Sequence, residues 1–168
     1  MHYETQRGNL TMPIRSAVCA AIVALGSLSM STPASADTDA EKLAVARQMV
    51  QAWQALDWER VYALFAADGV LHSMMQEPLV GREAIRARLG LLAPGIERIE
   101  LKLRHIGVID GRVFIERVDE FVYKGHAGAV PVVGVLEIED GKVRVWREYY
   151  DHAQLRAAMG VAPADARH

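Results

Sequence analysis

Cysteine is nearly missing from this sequence: its 168 residues contain one, Cys19. A lone cysteine excludes an internal disulfide framework and a cysteine-built zinc centre. Histidine offers no substitute. His72, His105, His126 and His152 lack ligand spacing and His168 stands at the tail, so no metal and no other cofactor is expected. Aromatics make up only 7% of the chain and nowhere interleave with a basic stripe, which argues against nucleic acid as a partner. The net charge of −2 is small. The main unbroken apolar run, residues 17–25, is too short to span a bilayer stably.

That run belongs to a three-part pattern. Arg15 precedes it, small and polar residues follow it, and Ala34-Ser35-Ala36 forms an A-x-A cleavage motif. Residues 1–36 therefore read as an export signal, with Met12 as an alternative start, and residues 37–168 as one mature domain. A periplasmic or secreted location follows, with no membrane contact after cleavage. Cys19 falls inside the leader and lacks the leucine three positions earlier that a lipoprotein signal carries. The mature chain would then be free of cysteine, which excludes thiolate catalysis, and would carry a net charge near −3. It is long enough to bury a core of its own.

Asp37-Thr38-Asp39 can cap a helix from about Ala40, in which Leu43, Ala46, Met49, Val50 and Trp53 form one apolar face. Asp57 caps a short second helix. Asp68-Gly69 predicts a turn into a strand over 70–74, and a third helix spans 82–92. Beyond Pro94-Gly95 the period changes to two. Strands are predicted over 96–109, 112–123, 130–138 and 142–150, with hairpin turns at Asp110-Gly111 and Asp140-Gly141 and a longer loop at 124–128. A short helix over 151–159 closes the pattern. Helices followed by an antiparallel meander define an α+β layer fold, with helices packed on one side of a curved sheet. A sheet of this kind can curl into an open cone whose mouth holds an apolar pocket.

The informative residues are charges on apolar faces. Alternation along 112–123 places Arg117 and Asp119 with Val113, Ile115, Phe121 and Tyr123. A buried charge needs a partner, and these two are spaced to pair. In the last strand, Trp146, Glu148 and Tyr150 share a face with Lys142 and Arg144. Asp119, Arg117 and Glu148 could form one site. Two nearby carboxylates resist ionising together, and one guanidinium can hold both by forked hydrogen bonds. Such a trio would retain a proton near neutrality, making one carboxylate a base and the other an acid. The same pattern also suits a structural ion pair.

The runs Glu116-Arg117-Val118-Asp119 and Trp146-Arg147-Glu148-Tyr149-Tyr150-Asp151 resemble the limonene-1,2-epoxide hydrolase family. Trp53-Gln54-Ala55-Leu56-Asp57, Gly81-Arg82-Glu83-Ala84-Ile85, Gly134-Val135 and Asp140-Gly141-Lys142 extend the likeness over nearly all of the mature chain. That family lies in a superfamily of cone-shaped domains with ketosteroid isomerases, polyketide cyclases and nuclear transport factor. The resemblance implies Asp119 as the acid that protonates an epoxide, Arg117 as the bridge and Glu148 as the base that activates water. The family has Asp where Glu148 stands. It also holds its water with a Tyr and an Asn, where this chain has Leu71 and Ser73. Tyr150 could supply a replacement hydroxyl, and alternation turns His72 away from Ser73.

The leading expectation is a cofactor-independent hydrolase that opens a small apolar, terpenoid-like epoxide to a vicinal diol. Leu71, Val113, Ile115, Phe121, Val130, Val132 and Trp146 would wall the pocket, and Ser73 and Tyr150 would position the water. An isomerase or cyclase of the same superfamily and a non-catalytic apolar-ligand module are the alternatives. A homodimer is expected by analogy with relatives.

Overall fold

The computed structural model describes His2 and residues 37–161. The leader segment, His2 apart, and the tail after Val161 lie outside the described residues. The described elements are α1 (Asp39–Gln54), α2 (Trp58–Leu64), β1 (Phe65–Ser73), β2 (Leu79–Val80), α3 (Arg82–Leu92), β3 (Ile96–Ile109), β4 (Arg112–Tyr123), β5 (His126–Glu139), β6 (Lys142–Tyr149) and α4 (His152–Ala158).

Local chemistry sets the boundaries. Thr38 opens α1 with a capping box: its hydroxyl accepts from the Glu41 amide at 3.3 Å, and the Glu41 carboxylate accepts from the Thr38 amide at 2.7 Å. Asp57 caps α2 by accepting from the Arg60 amide at 3.1 Å. The hairpins at Asp110-Gly111 and Asp140-Gly141 have both central residues at positive φ, the geometry that matches the twist of the flanking strands. Lys124-Gly125 forms a third hairpin of this kind, with φ of 48° and 80°. Tyr123 pairs with His126 across it. The five-residue loop expected at 124–128 is therefore a two-residue turn, and β5 starts four residues before its predicted position.

The six strands form one curved, unclosed sheet in the order β2-β1-β6-β5-β4-β3. The meander β3 to β6 is antiparallel throughout. β1 joins it in parallel with β6, placing Leu71 opposite Trp146 and Ser73 opposite Glu148. The expected turn at Asp68-Gly69 lies within β1, where the register breaks between Phe65 and Val70. A Cβ on Gly69 would lie 3.0 Å from the carbonyl oxygens of Ala66 and Val143. Glycine lets the irregular strand run that close to its neighbours.

The core packs the first three helices on the sheet. Val45, Ala46, Met49 and Val50 of α1, Val61 and Leu64 of α2, and Ile85 and Leu89 of α3 share one cluster with Val113, Ile115, Leu136, Val143 and Trp146. A second cluster joins Phe121, Tyr123, Val130 and Val132 to Leu155 and Met159 at α4. A cavity opens where the sheet passes from one cluster to the other.

Candidate active site

Arg117 anchors the site. Its side chain is 2% exposed, so its charge must be met by protein groups. Nε donates to Asp119 Oδ1 at 2.7 Å and Nη2 to Asp119 Oδ2 at 3.0 Å. Nη2 also donates to Glu148 Oε1. Strand alternation brings Asp119 to the face of Arg117, while Glu148 comes from β6, beyond β5. Reaching it requires a gap in the inward face of β5. Gly134 provides that gap: it pairs with Ile115 on one side and with Glu148 on the other. A Cβ there would lie 3.0 Å from Arg117 Nη1 and 2.9 Å from Trp146 Nε1. Trp146 supports the guanidinium from its own strand, with Cζ 5.6 Å from the ring centroid, a cation–π distance. Trp53 and Phe65 hold the indole in turn.

The electrostatics are those of a coupled set. Burial pushes the Asp119 carboxyl up from 3.8 to about 6, against the pull of Arg117 and with help from Glu148. Burial disfavours the Arg117 charge, but Glu148 and Asp119 outweigh it and raise its pKa. Asp119 and Glu148 keep 13% and 16% of their side chains exposed, and both line the cavity. The arrangement presents two carboxylates to one space, one of them with raised proton affinity, and fixes both on a buried cation.

The cavity has a volume of about 520 Å³. Leu71, Phe121, Val130 and Val132 line it, with Ser73 and Tyr150. The Tyr150 hydroxyl donates to Ser73 Oγ at 3.1 Å, and burial raises its pKa against that hydrogen bond. Val113, Ile115 and Trp146 are not among the lining residues, contrary to the sequence expectation. The first two are fully buried in the core shared with α1, and Trp146 lies in the same core with the guanidinium over its ring. His72 is also absent from the lining and donates from Nε2 to the Gln76 carbonyl at 2.9 Å.

Sequence reasoning missed part of the wall. Trp53, Leu89 and Leu92 from the helices, Ile99 from β3, and Leu155 and Met159 near α4 also line the cavity. Leu89 carries an apolar-face signal, but nothing local says which partner that face meets. Among the described residues, no group of three or more His, Cys, Asp or Glu side chains is arranged to hold a metal ion.

A curved, unclosed sheet under helices places the domain in the nuclear-transport-factor-like fold class, and its apolar cavity holds the acid–guanidinium–acid cluster. Within that class the chain belongs to the family of SnoaL-like domains, whose model matches residues 46–146. It is 35% identical over 52 residues to the epoxide hydrolase EphG of Mycobacterium tuberculosis. That match covers 31% of this chain and 35% of the relative, so the chain spans about a third of the length of the curated relative it matches. Among solved structures, an LEH-like epoxide hydrolase of M. tuberculosis aligns with a TM-score of 0.64 at 23% identity, over 72% of this chain and 90% of that one. A polyketide cyclase-like protein of Xanthomonas campestris aligns with a TM-score of 0.65 at 19% identity, over 72% and 98%.

Proposed function

We infer that the protein is a cofactor-independent epoxide hydrolase. One observation carries this reading: Arg117 grips Asp119 with a two-pronged hydrogen bond while donating to Glu148, and both acids face one apolar cavity. Glu148 takes a proton from a water near Ser73 and Tyr150. The water oxygen bonds to an oxirane carbon, the carbon–oxygen bond of the ring breaks, and Asp119 gives its proton to the departing oxygen. The product is a vicinal diol, and Arg117 links the two acids between which the proton must return. The raised proton affinity of Asp119 suits an acid, and the apolar wall suits a terpenoid-like or similar epoxide. The relationship to EphG supports the same chemistry. The A-x-A leader pattern supports an exported enzyme, acting in the periplasm or outside the cell.

Hydrolysis of a cyclic and linear epoxide panel in oxygen-18 water is expected to give singly labelled diols. Asp119→Asn and Glu148→Gln should each lower turnover by ~10²–10⁴-fold. Undiminished turnover in both variants would end this reading. Leu71 favours a second one. It is an apolar side chain at a cavity position where a tyrosine would hold water, and a proton-shuttling isomerase or cyclase needs no such water. Deuterium exchange beside a ketone carbonyl, without diol formation, would select that alternative.

A further inference from the structure

The Ser73–Tyr150 hydroxyl pair stands where the sheet gives least support. Ser73 is the last residue of β1, and Tyr150 lies one residue past the end of β6. Pairing sets Ser73 opposite Glu148, but ends of strands fray first. Just beyond Ser73, Met75 turns with a φ of 68°, a left-handed value uncommon for a residue other than glycine. One side chain outside the ladder touches both segments. His152 donates from Nε2 to the Met74 carbonyl at 2.8 Å. Its ring lies against Tyr150, with centroids 4.5 Å apart and planes tilted by 44°. Met74 is thereby held at both of its backbone polar groups, since its amide donates to the Glu148 carbonyl at 2.8 Å. The imidazole is placed in turn by its neighbour: Asp151 accepts from the Ala153 and Gln154 amides at 2.8 and 3.0 Å, which makes His152 the first residue of α4.

We propose that His152 is a positioning residue that sets the Ser73–Tyr150 pair. The bond between the two hydroxyls, at 3.1 Å, is already long for an oxygen donor, so a small drift of either carrier breaks it. His152 restrains both carriers at once: Ser73 through the carbonyl of the next residue, Tyr150 through its ring. His152 lines the cavity together with both hydroxyls, yet its Nε2 proton is committed to a backbone carbonyl. It therefore acts through the pair. In the hydrolase reading the pair orients the water that Glu148 activates, and the value of His152 to turnover rests on that reading. Its hold on the pair does not.

Two substitutions separate the contacts. His152→Phe keeps a ring beside Tyr150 and removes the donor, while His152→Gln keeps a donor for the Met74 carbonyl. Carbon-13 NMR of Tyr150 Cζ, whose resonance senses hydrogen bonding at the phenol, reads the pair without any substrate. Ser73→Ala should move that resonance in the wild type and move it less than about half as far in His152→Phe, because coupled residues do not add. His152→Gln should restore most of the shift. With an epoxide that the protein hydrolyses, His152→Phe should lower kcat by about 3–10-fold, the worth of one hydrogen bond, and leave KM nearly unchanged. It should cost little more once Tyr150→Phe is present. His105→Phe, at an exposed histidine outside the cavity lining, should leave both readouts as they are. A Ser73→Ala shift as large in His152→Phe as in the wild type overturns the proposal, as does a kcat loss that is the same with and without the Tyr150 hydroxyl. An NMR cycle that behaves as expected in a protein that yields no diol from any epoxide would sink the hydrolase reading and leave the positioning role standing.

Discussion

Asp119→Asn keeps the shape of the side chain and removes its charge. In the folded protein, burial holds this carboxyl at about 6 against an ordinary 3.8, although Arg117 pulls the other way. The native state therefore prefers the neutral form, which asparagine imitates. The sign of the pH dependence follows from linkage. The stability contributed by the raised pKa is fully present below about pH 3.8, where Asp119 is protonated in both folded and unfolded chains. It is lost as pH rises through about 6, where the native carboxyl finally ionises. At about 1.4 kcal/mol per tenfold change in proton affinity, the loss amounts to about 3 kcal/mol as an upper bound. Urea unfolding of wild type and Asp119→Asn between pH 4 and pH 8 measures it. The wild type should lose stability relative to the variant across that interval and level off above about pH 7. A constant offset between the two proteins reflects the amide's imperfect fit and carries no weight; the slope is the test. A wild type that gains on the variant as pH rises would show a carboxyl stabilised as an ion. The trio would then be a structural salt bridge rather than a centre with a proton to give.

Three further outcomes follow from the same geometry. Gly134→Ala puts a methyl group 3.0 Å from Arg117 Nη1 and 2.9 Å from Trp146 Nε1. It should lower stability by ~1–3 kcal/mol through overpacking, seen as a lower urea midpoint, and an unchanged midpoint would refute the gap assigned to this residue. Ser73→Ala and Tyr150→Phe should each reduce kcat/KM by about 3–10-fold, the worth of one hydrogen bond. Because the two hydroxyls bond each other, the double variant should lose less than the product of the single losses; strict additivity would separate them. With Asp119 as the acid, kcat/KM should fall as pH rises through about 6, and a profile flat from pH 5 to pH 8 would remove Asp119 from that role.

Much of this site was legible because strand alternation is a local rule. The register of β4 needed no partner strand to put Arg117 and Asp119 on one face, and the structure keeps them there. Hairpins marked by Asp-Gly were readable for the same reason. Lys124-Gly125 was not, since lysine carries no turn signal and its positive φ comes from the two strands it joins. The irregularity in β1 depends on contact with β6, which lies 75 to 78 positions further along the chain, from Val70↔Val145 and Phe65↔Val143.

The division of β4 between core and cavity was illegible for a deeper reason. Val113, Ile115, Arg117, Asp119 and Phe121 obey one alternation, yet α1 covers the first two and leaves Asp119 and Phe121 to the cavity. A period-two pattern specifies a face and is silent about what covers it. β6 adds a second obstacle. An extra residue at Arg144, opposite the step from Glu137 to Ile138, shifts the register, so that Val143 and Trp146 are both buried although strict alternation opposes them. Trp146 therefore reads as a wall residue in sequence and serves as support beneath Arg117 in three dimensions. Gly134 shows the same dependence from the other side. A glycine among valines in a strand marks a close approach, but what approaches it is fixed only when Arg117 and Glu148 arrive from the strands on either side. The charged residues announce the chemistry locally, while the residues that make the charges usable are defined by pairing, and only the paired sheet could reveal them.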